Sequence, residues 1–166
     1  MRRSVPTIPL RRKRENKTNY RKRFAYLKSG KNRLVIRLSN KYLTLQIVNY
    51  TPAGDTIIKS CVSKELQKLG WTSSCNNLPA AYLTGLLLAH KMNSEENKVC
   101  IVDLGLRNPK SGNSKIYAAL RGALEGGLDL PVDTKIFPSD DSIIGKHISE
   151  DLAKSVEDIK KKIQII

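Results

Sequence analysis

The amino-acid sequence predicts an α/β fold: a mixed sheet that starts with an antiparallel three-strand meander, is packed by helices, and carries an extended basic N-terminal arm. Three observations lead there. Apolar residues alternate between Arg33 and Val62, which is the period of strands lying on a core. From Ser63 onward the period changes to that of helices, interrupted by one short apolar run. Charge is gathered at one end: residues 1–41 hold 15 basic side chains and a single acid, Glu15.

The arm comes first. Met1 to Leu10 has Pro6, Pro9 and too little apolar surface to order itself, so it is expected to be extended or disordered when free. Arg11 to Lys28 (RRKRENKTNYRKRFAYLK) places Tyr20, Phe24 and Leu27 on one helical face, with Asn16, Thr18 and Asn19 as possible caps. Ser29-Gly30 breaks this segment. Residues 1–30 are read as a basic arm, 31–148 as an α/β domain and 149–166 as a C-terminal amphipathic helix.

In the first strand, Arg33 to Ser39, Leu34, Ile36 and Leu38 face one way and Arg33, Val35 and Arg37 the other. A tight turn at Ser39-Asn40 leads to Lys41–Tyr50, and Thr51-Pro-Ala-Gly54 leads to Asp55–Val62. Ser63 is placed to cap a short helix closed at Gly70-Trp71. Asn76-Asn77-Leu78-Pro79 reads as a helix start, and the following AAYLTGLLLAHKM, apolar on nearly every side, predicts a buried helix. VCIVDL, from Val99 to Leu104, is read as a central strand. A polar loop, Gly105–Gly112, precedes a helix from Asn113 to Glu125, with Ile116, Leu120, Ala123 and Leu124 on one stripe. Ile136-Phe137-Pro138 is read as extended, and Ser139-Asp140-Asp141 as the start of a helical turn. Ile148, Leu152, Ile159 and Ile163 mark the apolar stripe of the last helix.

The formal net charge is +15, from 30 basic and 15 acidic residues, and it argues for a polyanionic partner. No apolar run reaches membrane-spanning length, and basic residues recur where a signal peptide would be apolar. Cys61, Cys75 and Cys100 are odd in number and widely spaced, so they read as small buried residues rather than a disulfide or a metal site. His90 and His147 add little to any metal cluster, and no cofactor is expected. Asp103 ends an apolar strand, a place where α/β enzymes put carboxylates, but a lone Asp more often bonds the adjacent loop. No nucleophile elbow, phosphate-binding loop or HExxH is present.

The arm carries the chemistry. Arg11, Arg12, Lys13, Arg14, Lys17, Arg21, Lys22, Arg23 and Lys28 are interleaved with Asn16, Thr18, Asn19 and Tyr20. Arginine forks grip phosphate, Thr and Asn add neutral hydrogen bonds, and Tyr stacks on bases. Arg33, Arg37 and Lys41 would carry the basic surface onto the sheet. Composition alone leaves RNA and DNA both open.

The segments RRKRENKTNYRKRFAYLKSGKNRLVIRLSNKY, SKELQKLGW, NLPAAYLTGLLLA, VDLGLRNPKSGNSKIYAALRGALEGGLDLP and FPSDDSIIGKHI resemble, in order, the archaeal and eukaryotic family of large-subunit ribosomal protein eighteen. The resemblance runs from Arg11 to Ile148; residues 149–166, where archaeal members often carry a longer extension, match less clearly. It implies a non-enzymatic protein of the cytoplasmic large ribosomal subunit, with no membrane partner. It would bind 5S rRNA and help attach it to the 23S-type large-subunit rRNA and neighbouring ribosomal proteins in the central protuberance. Carried over by position, the expected RNA contacts are Arg11 to Arg23, then Arg33, Arg37, Ser39, Asn40 and Lys41, with Arg107, Lys110 and Lys115 as a second group. Two alternatives stay open: an RNA-processing enzyme using Asp103, and a non-specific cationic nucleic-acid-binding protein.

Overall fold

A computed structural model of the chain describes residues 7–92, 98–109, 114–146 and 148–165. Three strands form the expected meander: β1 (Asn32–Leu38), β2 (Leu43–Thr51) and β3 (Gly54–Val62). β1 and β2 pair antiparallel, with Leu34 opposite Ile47 and Ile36 opposite Leu45. β2 and β3 also pair antiparallel, with a register shift at Ile47/Val48. The fourth strand, β4 (Cys100–Asp103), runs parallel to β1, and the sheet order is β3-β2-β1-β4. The apolar run that reads as a central strand is therefore an edge strand. Its start is bridged on the outer side by the segment at Asp129, whose carbonyl accepts from Cys100 N at 3.0 Å.

β3 and β4 point the same way at opposite edges, so a helix must carry the chain between them. That helix is α3 (Leu78–His90), capped by the Asn77 side chain, which accepts from Ala80 N at 2.8 Å. It is buried from Pro79 to Ala89, as its all-round apolar sequence requires. Leu34, Ile36, Leu43, Leu45 and Ile47 form the sheet's core face, and α3 packs on β2 and β3.

The helix after β4, α4 (Lys115–Glu125), is capped by Ser114 and packs along α3. The two helices touch backbone to backbone. A Cβ at Gly85 would overlap the Ala119 carbonyl oxygen, and one at Gly122 would overlap that of Tyr82. They run in the same direction: their starts meet where Lys115 Nζ donates to Asn76 Oδ1 at 3.0 Å, and their ends meet at Ala89 and Gly126. Both positive dipole ends therefore point out of the same end of the domain.

The remaining elements close the core. A 3-10 helix, Ser63–Leu69, ends at Gly70 in the left-handed region at φ 100°. Ser63 does not cap it. Its hydroxyl is buried and accepts from Leu43 N at 3.0 Å, while the Glu65 side chain accepts from Val62 N at 2.9 Å. Of the expected extended piece Ile136-Phe137-Pro138, Ile136 instead ends a 3-10 turn, Thr134–Ile136, in which Asp133 caps Lys135 N at 3.0 Å, while Phe137 is extended at φ −73°, ψ 148°. α5 (Asp140–Ile144) follows, then α6 (Glu150–Ile165), whose buried stripe is Leu152, Val156, Ile159 and Ile163. Ile148 precedes α6 and is exposed, so the stripe starts at Leu152; Val156, which the spacing had left out, joins it between Leu152 and Ile159.

The three cysteines are free and buried. Trp71 and Tyr82 lie in the core. Among the described residues no His/Cys/Asp/Glu group is arranged to hold a metal ion, and no helix is long and apolar enough to cross a membrane. The expected behaviour of Met1 to Leu10 falls largely outside the described residues, as do Lys110 and His147.

Candidate nucleic-acid interface

The arm folds into two helices, not one. α1 (Arg11–Arg14) is a single exposed turn, and α2 (Tyr20–Lys28) begins after a break at Asn16, which sits at φ 50°. Asn19 is the cap among the three candidates: its side chain accepts from Lys22 N at 3.1 Å. Arg12 Nε donates to Thr18 Oγ1 at 2.8 Å, and Lys17 pairs with Glu15 at 2.8 Å, which folds the connecting loop back on itself. Phe24 does not join Tyr20 and Leu27 on a buried face; it is 70% exposed. The partly covered positions are Tyr20, Arg23, Tyr26 and Leu27.

Charge, more than apolar contact, docks α2 on the sheet. Arg23 Nη2 meets Asp55 Oδ2 at 2.8 Å. Arg33 Nη2 meets the other oxygen of Asp55 at 2.7 Å, and Arg33 Nη1 lies 3.6 Å from Asp103 Oδ2. Arg37 Nη2 completes the chain at 3.3 Å from Asp103 Oδ1. Three arginines thus alternate with two aspartates across α2, β1, β3 and β4. Burial acts to raise the Asp55 pKa, but hydrogen bonds from Arg33 and Arg23 outweigh it and the net shift is downward.

This network corrects one expected contact. Arg33 is 2% exposed and ion-paired on both sides, so it is a structural cation that no RNA phosphate reaches in this fold. Arg37, on the same strand face, has a side chain 49% exposed. Its Nη1 donates to the carbonyls of Ile36 and Asp103, at 2.8 and 2.9 Å, and Gly105 packs against its guanidinium. The left-handed φ of 64° is what favours glycine at this position. Asp103 is not a free carboxylate: it accepts from Gly105 N at 2.8 Å and holds two arginines. That counts against the catalytic alternative.

The other candidates gather at the same end. Arg12, Lys17, Thr18, Asn19, Lys22 and Arg23 line a cleft of about 310 Å³ whose far wall includes Arg37, Leu104 and Arg107. Lys13 and Arg21 line a neighbouring groove of about 320 Å³ with Asn16, Tyr20 and Leu106. Arg11, Arg14 and Lys28 are exposed on the outer side of the arm. Arg107 Nη2 approaches the Leu38 carbonyl at 3.4 Å, which ties the second group to the end of β1. Ser39, Asn40 and Lys41 form the exposed β1–β2 turn. The Ser39 hydroxyl is used by the turn itself, donating to Tyr42 O at 2.8 Å and accepting from Tyr42 N at 3.0 Å. The Asn40 carbonyl accepts from Asn76 Nδ2 at 2.7 Å, and Asn76 in turn takes Lys115.

Sequence reasoning missed Tyr26, Leu104 and Leu106, which line these clefts. Tyr26 lies three residues beyond Arg23, and that helical spacing is the one signal that could have found it. Burial raises the Tyr26 pKa, the Asp103 charge adds to this, and Arg37 opposes it, so the phenol keeps its proton. Asp55, the anchor of the arm, had no sequence signal.

A family profile described as "Ribosomal large subunit proteins 60S L5, and 50S L18" matches residues 7–99. Among curated proteins, the large ribosomal subunit protein uL18 of Korarchaeum cryptofilum is 43% identical over 151 residues, covering 91% of this chain and 77% of its own. That of Methanococcus maripaludis is 42% identical over 158 residues, covering 93% and 81%. That of Thermofilum pendens is 44% identical over 142 residues, covering 86% and 72%. The chain belongs to the uL18 family of large ribosomal subunit proteins, a structural family and not an enzymatic one.

Proposed function

We propose that this protein is a structural constituent of the cytoplasmic large ribosomal subunit that binds 5S rRNA. In this reading it helps attach that RNA to the 23S-type rRNA and to neighbouring ribosomal proteins in the central protuberance. The observation that carries the reading is convergence. The arm's cations, Arg37, Lys41, Arg107 and Lys115, from four separate stretches of chain, surround one end of the domain. The start of α4 lies at that end too, where unpaired backbone N–H groups favour phosphate. RNA phosphates would neutralise the arm, while the β1–β2 turn and the Arg107 loop fix register.

The test is the salt dependence of binding to a 5S rRNA transcript. Arg14→Ala with Arg21→Ala should lower the slope of log K against log salt by about 1–2, since each lost phosphate contact removes ~0.7–0.9. Arg23 is a poor choice for this test, because its loss also undocks α2 from Asp55. An unchanged slope, or equal affinity for random duplex DNA, would sink the reading and favour a non-specific cationic protein.

A further inference from the structure

Beyond Gly105 the cationic cleft adjoins a second cavity of about 330 Å³, set between α2, β4 and α4. Tyr26, Val102, Leu104, Tyr117 and Leu120 wall it. Lys22 and Arg107 line both cavities and therefore stand between them. Gly105, Asn108, Pro131, Val132, Asp133 and Ile136 complete the lining, and the Asn108 side chain makes no hydrogen bond among the described residues.

This combination is aromatic and apolar within, amide-bearing at one side, and cationic where it meets the phosphate cleft; its one carboxylate, Asp133, is exposed and accepts from Lys135 N at 3.0 Å. We propose that the cavity receives one unstacked nucleobase of the bound RNA, flanked by phosphates on Lys22 and Arg107. The inference rests on the RNA-binding reading of the adjoining cleft. Its volume is at the lower bound for concave ligand sites, about 300 Å³. Protein readers of RNA take splayed-out bases onto aromatic rings and bond their edges. Tyr26 and Tyr117 supply the rings, and Asn108 offers both a donor and an acceptor to a base edge. An apolar peptide partner would have to bury two cations, Lys22 and Arg107, with Asp133 as the one carboxylate in the lining, whereas RNA brings compensating phosphates with the base.

The probe is a 5S rRNA transcript bound to the full chain and treated with reagents that modify unpaired base edges. Wild-type protein should protect at least one unpaired base beyond the arm's footprint. Val132→Phe, which fills the cavity from its half-buried rim, and Asn108→Ala should each re-expose that base. Val132→Phe should weaken binding about 10-fold with the salt slope unchanged, because stacking is lost and phosphate contacts are kept. Photocrosslinking of the wild-type complex keeps the test independent of how well the variants fold: nucleotide adducts are expected on Tyr26 or Tyr117. Tight binding with identical protection in wild type and both variants, or adducts confined to residues 7–23, overturns the pocket alone. Failure of wild-type protein to bind the transcript overturns both the pocket and the parent reading.

Discussion

Asp103 grips Arg37 twice: its carboxylate Oδ1 lies 3.3 Å from Arg37 Nη2, and its backbone carbonyl accepts from Arg37 Nη1 at 2.9 Å. The residue that most resembled a catalytic acid is a clamp. It holds one arginine half-exposed in the cationic cleft and a second, Arg33, in the interior. A guanidinium fixed in this way meets phosphate without first losing its rotational freedom.

Replacing Asp103 with Ala should therefore cost stability and binding together. Removing one partner from a buried ion pair leaves the other charge uncompensated, at about 3–5 kcal/mol. Chemical denaturation should show a loss in that range, and the surviving folded protein should bind RNA more weakly. A variant as stable as wild type would mean that Asp55 alone satisfies Arg33.

Acid should loosen the arm. The Asp55 pKa is lowered in the fold, so its contribution is fully present above its ordinary value, 3.8, and is lost as pH falls through the depressed folded value. The Glu125 carboxylate behaves alike: burial acts to raise its pKa, and hydrogen bonds from Tyr82 and Arg121 override that. Proteolysis within residues 7–28 should accelerate below about pH 4 in wild type. Asp55→Asn should show that faster cleavage already at neutral pH. Equal cleavage of the two proteins at pH 7 would show that Asp55 does not anchor the arm.

The α3–α4 contact should tolerate no added carbon. Gly122→Ala places a methyl group against the Tyr82 carbonyl, and backbone cannot step aside as a side chain does. Overpacking of this kind costs ~1–3 kcal/mol, visible as a lower denaturation midpoint. Gly127→Ala serves as a contrast, since its Cβ would meet only the far end of Lys98, at 4.0 Å, and the change there reports backbone strain at φ 97° alone. If Gly122→Ala were the milder of the two, the close-packing account would fail.

The cysteines should be inert. Burial pushes the Cys61 thiol to about 12 and the Cys100 thiol to about 11, each helped by a nearby carboxylate, and burial also raises Cys75. Thiolate is the reactive form, so alkylation at pH 8 should label none of the three in native protein and all three in denaturant. Native labelling at Cys61 would contradict its burial.

Much of this molecule could be read from local pattern. The alternation of Leu34, Ile36 and Leu38 against Arg33, Val35 and Arg37 gave the faces of β1 correctly, because a strand's period is fixed by its backbone. The Asn77 cap, the buried α3 and the end of α4 at Gly126 follow from equally local rules. The concentration of cations in the arm was visible at a glance. Errors came where a residue's partner lies far away in sequence. Phe24 lost its place on the arm's inner face because Arg23 found Asp55 across the sheet. Ser63 left its capping role because Leu43 N, 20 residues away, needed an acceptor.

By itself, then, the sequence determined the strands and helices, the chain's polycationic end and the resemblance to a ribosomal family, since each depends on neighbours or on long matched segments. Only the tertiary structure decided which arginine stays open to solvent and which is a strut. Arg33 and Arg37 are two positions of one alternating pattern, identical in local chemistry. One lies beneath α2 between Asp55 and Asp103, and the other stands at the strand's open end. Desolvation separates them, and desolvation is set by what packs above, which no local pattern records.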